Sequence, residues 1–112
     1  MKICMIGTGY VGLVSGACFA DLGHTVWCVD KDKDKINILN SNRIPIFEPG
    51  LHELVKKNFS SNRIKFTTDL KLAVINSDII FICVGTPTYK NKKSADLKYV
   101  FKAAKEIRNY IK

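Results

Sequence analysis

The feature that most constrains this chain lies in its first dozen residues. Lys2 to Ile6 form a short apolar run that stops at Gly7, and Gly7-Thr8-Gly9-Tyr10-Val11-Gly12 follows at once. An apolar run that ends abruptly at a glycine reads as a buried parallel strand ending at a turn. From Tyr10 to Leu22 small and apolar residues recur at helical spacing, and Gly23 is a natural C-terminal stop. Thr25 to Val29, rich in β-branched and aromatic residues, is a second strand. Strand, turn, helix and strand in succession make a βαβ unit. In that setting G-x-G-x-x-G is more than a common turn sequence. Gly7 permits the tight turn, Gly9 lets the backbone approach a pyrophosphate, and Gly12 lets helix and strand pack closely. A diphosphate there would rest on backbone N–H groups at the positive end of the helix dipole. Gly16 and Ala17, one turn later, are small enough to keep the helix tight against the sheet.

The rest of the chain repeats the alternation. Asp32 to Leu39 predicts a short, half-exposed helix with Ile36 and Leu39 on one face. Asn40 to Gly50, broken by Pro45 and Pro49, predicts a loop, and Leu51, Leu54 and Val55 mark a helix beginning near Pro49. Ile64 to Thr67 predicts a third strand, Asp69 to Ile75 a helix, and Asp78 to Val84 a fourth strand. Leu97, Val100, Phe101, Ala104, Ile107 and Ile111 repeat at three and four, which predicts an amphipathic last helix with Ser94 as its cap. The order β-α-β-α-α-β-α-β-α predicts one α/β domain over residues 1–112, a Rossmann-type parallel sheet with helices on both faces. About four strands are present, so the sheet is expected to be a truncated form of the six-stranded dinucleotide-binding one. In the order 3-2-1-4 the fourth strand is left as an open apolar edge.

Within this frame Asp30 ends the second strand, where a carboxylate can accept hydrogen bonds from the adenosine ribose. A carboxylate there repels a 2′-phosphate, so NAD is expected rather than NADP. Lys31, Lys33 and Lys35 point the other way, because a cation could host that phosphate, but they share a helix start with Asp32 and Asp34. Val84-Gly85-Thr86-Pro87-Thr88 follows the fourth strand, whose carboxyl end flanks the cofactor crevice in this fold. Gly85 allows close backbone approach, Pro87 stiffens the turn, and the Thr86 hydroxyl can bond a ribose or phosphate oxygen; the alternative is a loop whose hydroxyls cap its own backbone.

Other chemistry finds little support in these residues. His24 and His52, the only histidines, have no adjoining nucleophile and suit helix-end and surface roles. Cys4, Cys18, Cys28 and Cys83 form no C-x-x-C pair, so no metal site is expected. All four read as small buried hydrophobes, which suits a reducing cytoplasm. No catalytic residue can be nominated. The net charge of +8 invites a nucleic-acid reading, yet residues 1–56 are neutral and the whole excess lies in 57–112. The lysines there read as solvated helix faces plus the loop cluster Lys90, Lys92 and Lys93. The aromatic residues occupy core positions rather than alternating with lysines on a sheet face, so neither RNA nor DNA is an expected partner. No segment reaches the roughly 18 apolar residues that crossing a membrane takes, and Met1-Lys2 leads directly into a strand without a signal-peptide pattern.

Taken together, the glycine turn, Asp30, Pro45-Ile46-Phe47-Glu48-Pro49-Gly50-Leu51 and Val84-Gly85-Thr86-Pro87-Thr88 resemble the UDP-glucose/GDP-mannose dehydrogenase family. The E-P-G-L element carries most of that resemblance, since ordinary Rossmann domains lack it; it also argues against a non-catalytic, NAD-sensing regulatory domain. The resemblance implies NAD contacts at Gly7, Thr8, Gly9, Tyr10, Val11 and Gly12, at Asp30 and Lys35, and at Thr86. It implies an enzyme that oxidises the primary alcohol of a nucleotide sugar to a carboxylate in two NAD-dependent steps, through a thioester on a cysteine in a later part of the chain. UDP-glucose is the expected substrate, with GDP-mannose or a UDP-N-acetyl-hexosamine next, and the full enzyme is expected to be a homo-oligomer. The central and UDP-binding domains of the family, and its fifth strand, have no match in these 112 residues, so the chain is expected to be a segment that is inactive alone.

Overall fold

The computed structural model describes residues 1–85 and 96–111. Four strands, β1 (Lys2–Ile6), β2 (Thr25–Val29), β3 (Ile64–Thr67) and β4 (Ile79–Ile82), form one sheet in the order β3-β2-β1-β4. Every pairing is parallel, with Met5 opposite both Cys28 and Phe81, and Cys28 opposite Phe66. The helices are α1 (Tyr10–Asp21), α2 (Lys33–Asn40), α3 (Leu51–Ser60), α4 (Leu70–Ile75) and α5 (Lys98–Arg108).

The strands are mainly apolar because helices cover much of both sheet faces; the cover thins at the edges, where Lys65 is half-buried and Ile79 and Phe81 are exposed. Ile3, Met5, Val26, Cys28, Ile64 and Phe66 pack with residues of α1, α2 and α3. The alternate residues Cys4, Ile6 and Val29 pack with Ala73 and Val74 of α4 and with Ala103 and Ile107 of α5. On the first face Phe19 of α1 stacks on Phe81 of β4, with ring centroids 5.3 Å apart.

Three helices end in one way. After α1, α2 and α3 the chain turns through a left-handed residue, Gly23, Asn42 and Asn62 respectively. The amides that follow reach back to the last turn, as in His24 to Phe19, Arg43 to Ile38 and Arg63 to Asn58. Glycine has no Cβ to clash in that region, and asparagine is enriched there, so these positions close their helices and return the chain to the sheet. At the N-termini, the Asp32 side chain accepts from the Asp34 and Lys35 amides, and Asp69 accepts from Leu72. Both caps shift the expected helix starts by one residue.

The fourth strand runs over Ile79–Ile82 rather than the expected Asp78 to Val84, and the aromatics Tyr10, Phe47 and Tyr99 are exposed rather than in the core. Two further expectations need correction. Leu97, Phe101, Ala104 and Ile111 were on the expected inward stripe of α5, yet all four are exposed, Phe101 to 60%. Of the expected stripe Ile107 is buried and Val100 half-buried; the unexpected inward residues are Ala103, buried, and Tyr110, half-buried. The sheet ends at β4, so among the described residues there is no further strand under the Phe101 side, and the small Ala103 gives the closer approach. The second is Cys18, which sits on the outer face of α1 and is exposed. Ser94, the expected cap, lies outside the described residues; α5 starts with Leu97 at its N-cap and no side-chain cap bond.

Candidate cofactor site

The direction of sheet growth reverses between β1 and β4, so the loops leaving their carboxyl ends diverge and open a crevice. A groove of about 1090 Å³ lies there, spanning the Gly7–Val11 turn, Asp30, Lys31 and Lys35 after β2, Cys83 to Gly85 after β4, and one side of α5. Its floor is the glycine turn. Gly7 has φ +106°, its N–H donates to Val29 O at 2.7 Å, and a Cβ on it would lie 2.6 Å from Cys83 O. A Cβ on Gly12 would come within 2.0 Å of Gly7 O, so the first turn of α1 is seated directly on the turn that feeds it. Gly9 differs. Its φ of −74° suits any residue, and a Cβ there would meet nothing within 4 Å among the described residues. The fold therefore requires glycine at 7 and 12, but nothing among the described residues requires it at 9.

Asp30 faces the groove at the end of β2. Its Oδ2 accepts from the Thr8 amide at 2.9 Å and the Thr8 hydroxyl at 2.7 Å, and its Oδ1 accepts from the Asp32 amide at 3.0 Å. Burial pushes this carboxyl up, but the hydrogen bonds from Asp32 and Thr8 and the Lys35 charge outweigh it and hold the group below its ordinary range. Asp30 is thus ionised near neutral pH. A carboxylate offers about four lone-pair directions, and Oδ1 spends one, so capacity remains for a ribose hydroxyl. Thr8 is fully buried and its hydroxyl is turned to Asp30, which makes it a positioning residue for the carboxylate. Lys35, read from sequence only as a helix charge, places Nζ 3.9 Å from Asp30 Oδ2.

Tyr10 and Val11 stand exposed at the start of α1, beside the turn. The Tyr10 hydroxyl donates to Glu48 Oε2 at 3.0 Å, which ties the E-P-G-L segment to the mouth of the groove and leaves neighbouring Phe47 91% exposed. Gly85 lines the groove; Thr86 and Pro87 lie outside the described residues. Sequence reasoning missed the wall made by α5, where Tyr99, Lys102, Glu106 and Tyr110 face the groove. Their spacing of three and four was a second stripe, of mixed polarity, beside the apolar one.

These residues fit a dinucleotide. An open floor at Gly9, first-turn amides that no helix carbonyl can satisfy, and an oriented carboxylate 22 residues beyond Thr8 are groups that could receive a diphosphate and a ribose hydroxyl. Catalytic equipment is another matter. His24 Nδ1 lies 3.2 Å from the Met1 amino group and His52 Nε2 lies 2.9 Å from Asn42 O, both away from the groove. Burial raises the Cys83 thiol and pushes that of Cys4 up to about 12, so neither is poised as a thiolate. Among the described residues no cluster of three or more His, Cys, Asp or Glu could hold a metal ion, and no helix is long and apolar enough to cross a membrane.

Fold and groove together define a dinucleotide-binding domain of the Rossmann type. The whole of residues 1–112 matches the NAD binding domain of the UDP-glucose/GDP-mannose dehydrogenase family, and the chain belongs to that family. It is 62% identical over 107 residues to UDP-glucose 6-dehydrogenase of Rhizobium meliloti (strain 1021), covering 96% of this chain and 24% of that protein. Among solved structures, a ternary complex of GDP-mannose dehydrogenase from Pseudomonas aeruginosa superposes with a TM-score of 0.91 at 44% identity, over 96% of this chain and 24% of the other. A UDP-glucose dehydrogenase from Pyrobaculum islandicum superposes with a TM-score of 0.89 at 40% identity, over 95% and 24%. The chain thus spans about a quarter of the length of these relatives. The family makes NAD the cofactor of this domain.

Proposed function

We propose that residues 1–112 are the NAD-holding unit of a UDP-glucose 6-dehydrogenase, with the catalytic and nucleotide-sugar-binding parts carried elsewhere in the whole protein. The observation that carries the reading is the contrast among the three glycines. Gly7 and Gly12 are demanded by the fold, whereas Gly9 is left open toward a groove in which Asp30 is already oriented. In this reading the backbone from Gly7 to Gly12 cradles the diphosphate, Asp30 takes the adenosine ribose, and Lys35 keeps that carboxylate charged. Thr8 acts through Asp30. Tyr10, Val11 and Gly85 line the run toward the nicotinamide; Thr86 and Pro87 are proposed as cofactor contacts on their sequence alone.

Bound NAD supplies the hydride acceptor for oxidation of a sugar primary alcohol. The chain's own share is to bind and orient it, since no residue described here is placed to take a proton from substrate. UDP-glucose is favoured over GDP-mannose because the relative at 62% identity bears the former name and the one at 44% the latter.

Calorimetric titration of NAD+ into the full chain, beside an Asp30→Ala variant, tests the binding half. Saturable binding that weakens at least tenfold in the variant is expected, a loss of about 1.4 kcal/mol or more. Equal binding by both would remove Asp30 from the site. For the whole protein, NADH formation should be faster with UDP-glucose than with GDP-mannose or a UDP-N-acetyl-hexosamine, at two NADH per product; the reverse preference would reassign the substrate.

A further inference from the structure

Asp30 is flanked by two cations, and both are engaged. Lys35 Nζ lies 3.9 Å from Asp30 Oδ2, and Lys31 Nζ lies 2.8 Å from Glu106 Oε1 on α5. Lys31 directly follows the ribose carboxylate, in the neighbourhood where a cation accommodates the 2′-phosphate of NADP in this fold. Charge count does not exclude that phosphate. Lys31, Lys35 and Lys102 face this end of the groove against Asp30 and Glu106, a balance of one positive charge. Discrimination must then come from where the charges are held.

The two members of the pair are not equally mobile. The Lys31 side chain is 71% exposed, on a flexible stem, while that of Glu106 is 32% exposed and projects from a helix anchored by Ala103 and Ile107. Glu106 is therefore the fixed member and sets where the ammonium goes. We propose that Glu106 is a cofactor-specificity residue: it holds Lys31 against α5, so that a 2′-phosphate beside Asp30 meets an occupied cation and a second carboxylate. The proposal rests on the NAD-binding reading of the groove. It extends discrimination from the single Asp30 carboxylate to a pair that spans the groove from the end of β2 to α5.

The test is the ratio of dissociation constants for NADP+ and NAD+, measured by calorimetry on the full chain, for wild type, Glu106→Gln, and Glu106→Gln combined with Lys31→Met. In Glu106→Gln the ratio should fall by roughly three- to tenfold, the size expected when a lysine leaves a partly exposed ion pair for a phosphate. The double variant should return it toward the wild-type value, because the gain needs the freed ammonium. A ratio unchanged in Glu106→Gln, or tightening shared equally by both cofactors, overturns the proposal while leaving the NAD site intact. So does a fall that survives Lys31→Met. Absence of NAD+ binding by the wild-type chain would instead overturn the reading of the groove, and this inference with it.

Discussion

The glycine turn predicts two substitutions with opposite signatures. In Gly12→Ala the new methyl is placed 2.0 Å from Gly7 O, 3.0 Å from Gly7 C and 3.3 Å from Cys83 Cβ. Real Cβ atoms keep at least about a further ångström from a backbone oxygen, and the obstacle is a backbone carbonyl rather than the end of a flexible side chain. Overpacking of this kind costs about 3 kcal/mol, the top of its usual range. Replacing a helical glycine by alanine returns about 1 kcal/mol. The net loss is about 2 kcal/mol, which for a domain of this size lowers Tm by roughly 8 °C or more. In Gly9→Ala the methyl meets nothing among the described residues and φ is −74°, so they impose no strain and the loss of backbone freedom in the unfolded chain stabilises by at most about 1 kcal/mol. Its cofactor binding should nevertheless fall at least tenfold, because the methyl stands where the diphosphate approaches. Thermal unfolding by circular dichroism and NAD+ titration of both variants provide the assay. A Gly9→Ala chain that binds NAD+ like wild type would refute the assignment of the diphosphate to this turn. A Gly12→Ala chain with unchanged Tm would refute the packing argument.

Three further predictions follow from the groove and the core. Thr8→Val keeps the shape of a fully buried side chain but removes the 2.7 Å hydroxyl bond to a carboxylate; stability should drop by about 1.5–3 kcal/mol and NAD+ affinity should weaken with it, as urea unfolding and titration will show. Asp30 titrates below its ordinary value of 3.8 in the folded state, so its stabilisation is fully present above that pH and is lost as pH falls through the folded value; the Tm difference between wild type and Asp30→Asn should therefore shrink on acidification below about pH 4, and a constant difference would contradict the assigned cause. Iodoacetamide at mildly alkaline pH should label exposed Cys18 first, half-buried Cys83 more slowly, and buried Cys4 and Cys28 only on unfolding; mass spectrometry that finds Cys28 labelled early would show that the sheet opens under α1.

How much of this was legible in the sequence depends on whether a residue's role is local. The strands β1, β2 and β3 were read to the residue: β1 and β2 are largely apolar runs bounded by Gly7, Gly23 and Thr25, while β3 alternates buried Ile64 and Phe66 with half-buried Lys65 and Thr67. The position of Asp30 was legible because it directly follows the apolar run of β2. The bond that orients it was not: Thr8 and Asp30 lie 22 residues apart and meet only when β1 pairs with β2. Glu48, 38 residues from Tyr10, is the same case, and no periodicity connects them.

The α5 wall shows the other limit. Periodicity reports which residues of a helix are apolar, but the angle at which the helix is set depends on what it rests on. Strand β4 ends the described sheet, so α5 rolls until Ala103 and Ile107 meet Ile6, Val29 and the α4 residues Ala73 and Val74, and Phe101 turns outward. The same roll brings Tyr99, Lys102 and Glu106 to the groove. The misplacing of Phe101 and Ala104 and the omission of Glu106 both concern how α5 is rotated about its axis. That rotation also explains why Lys31, a cation next to Asp30, spoke ambiguously in the sequence. The residue that settles its direction is 75 positions away, on the helix whose rotation the sequence left open.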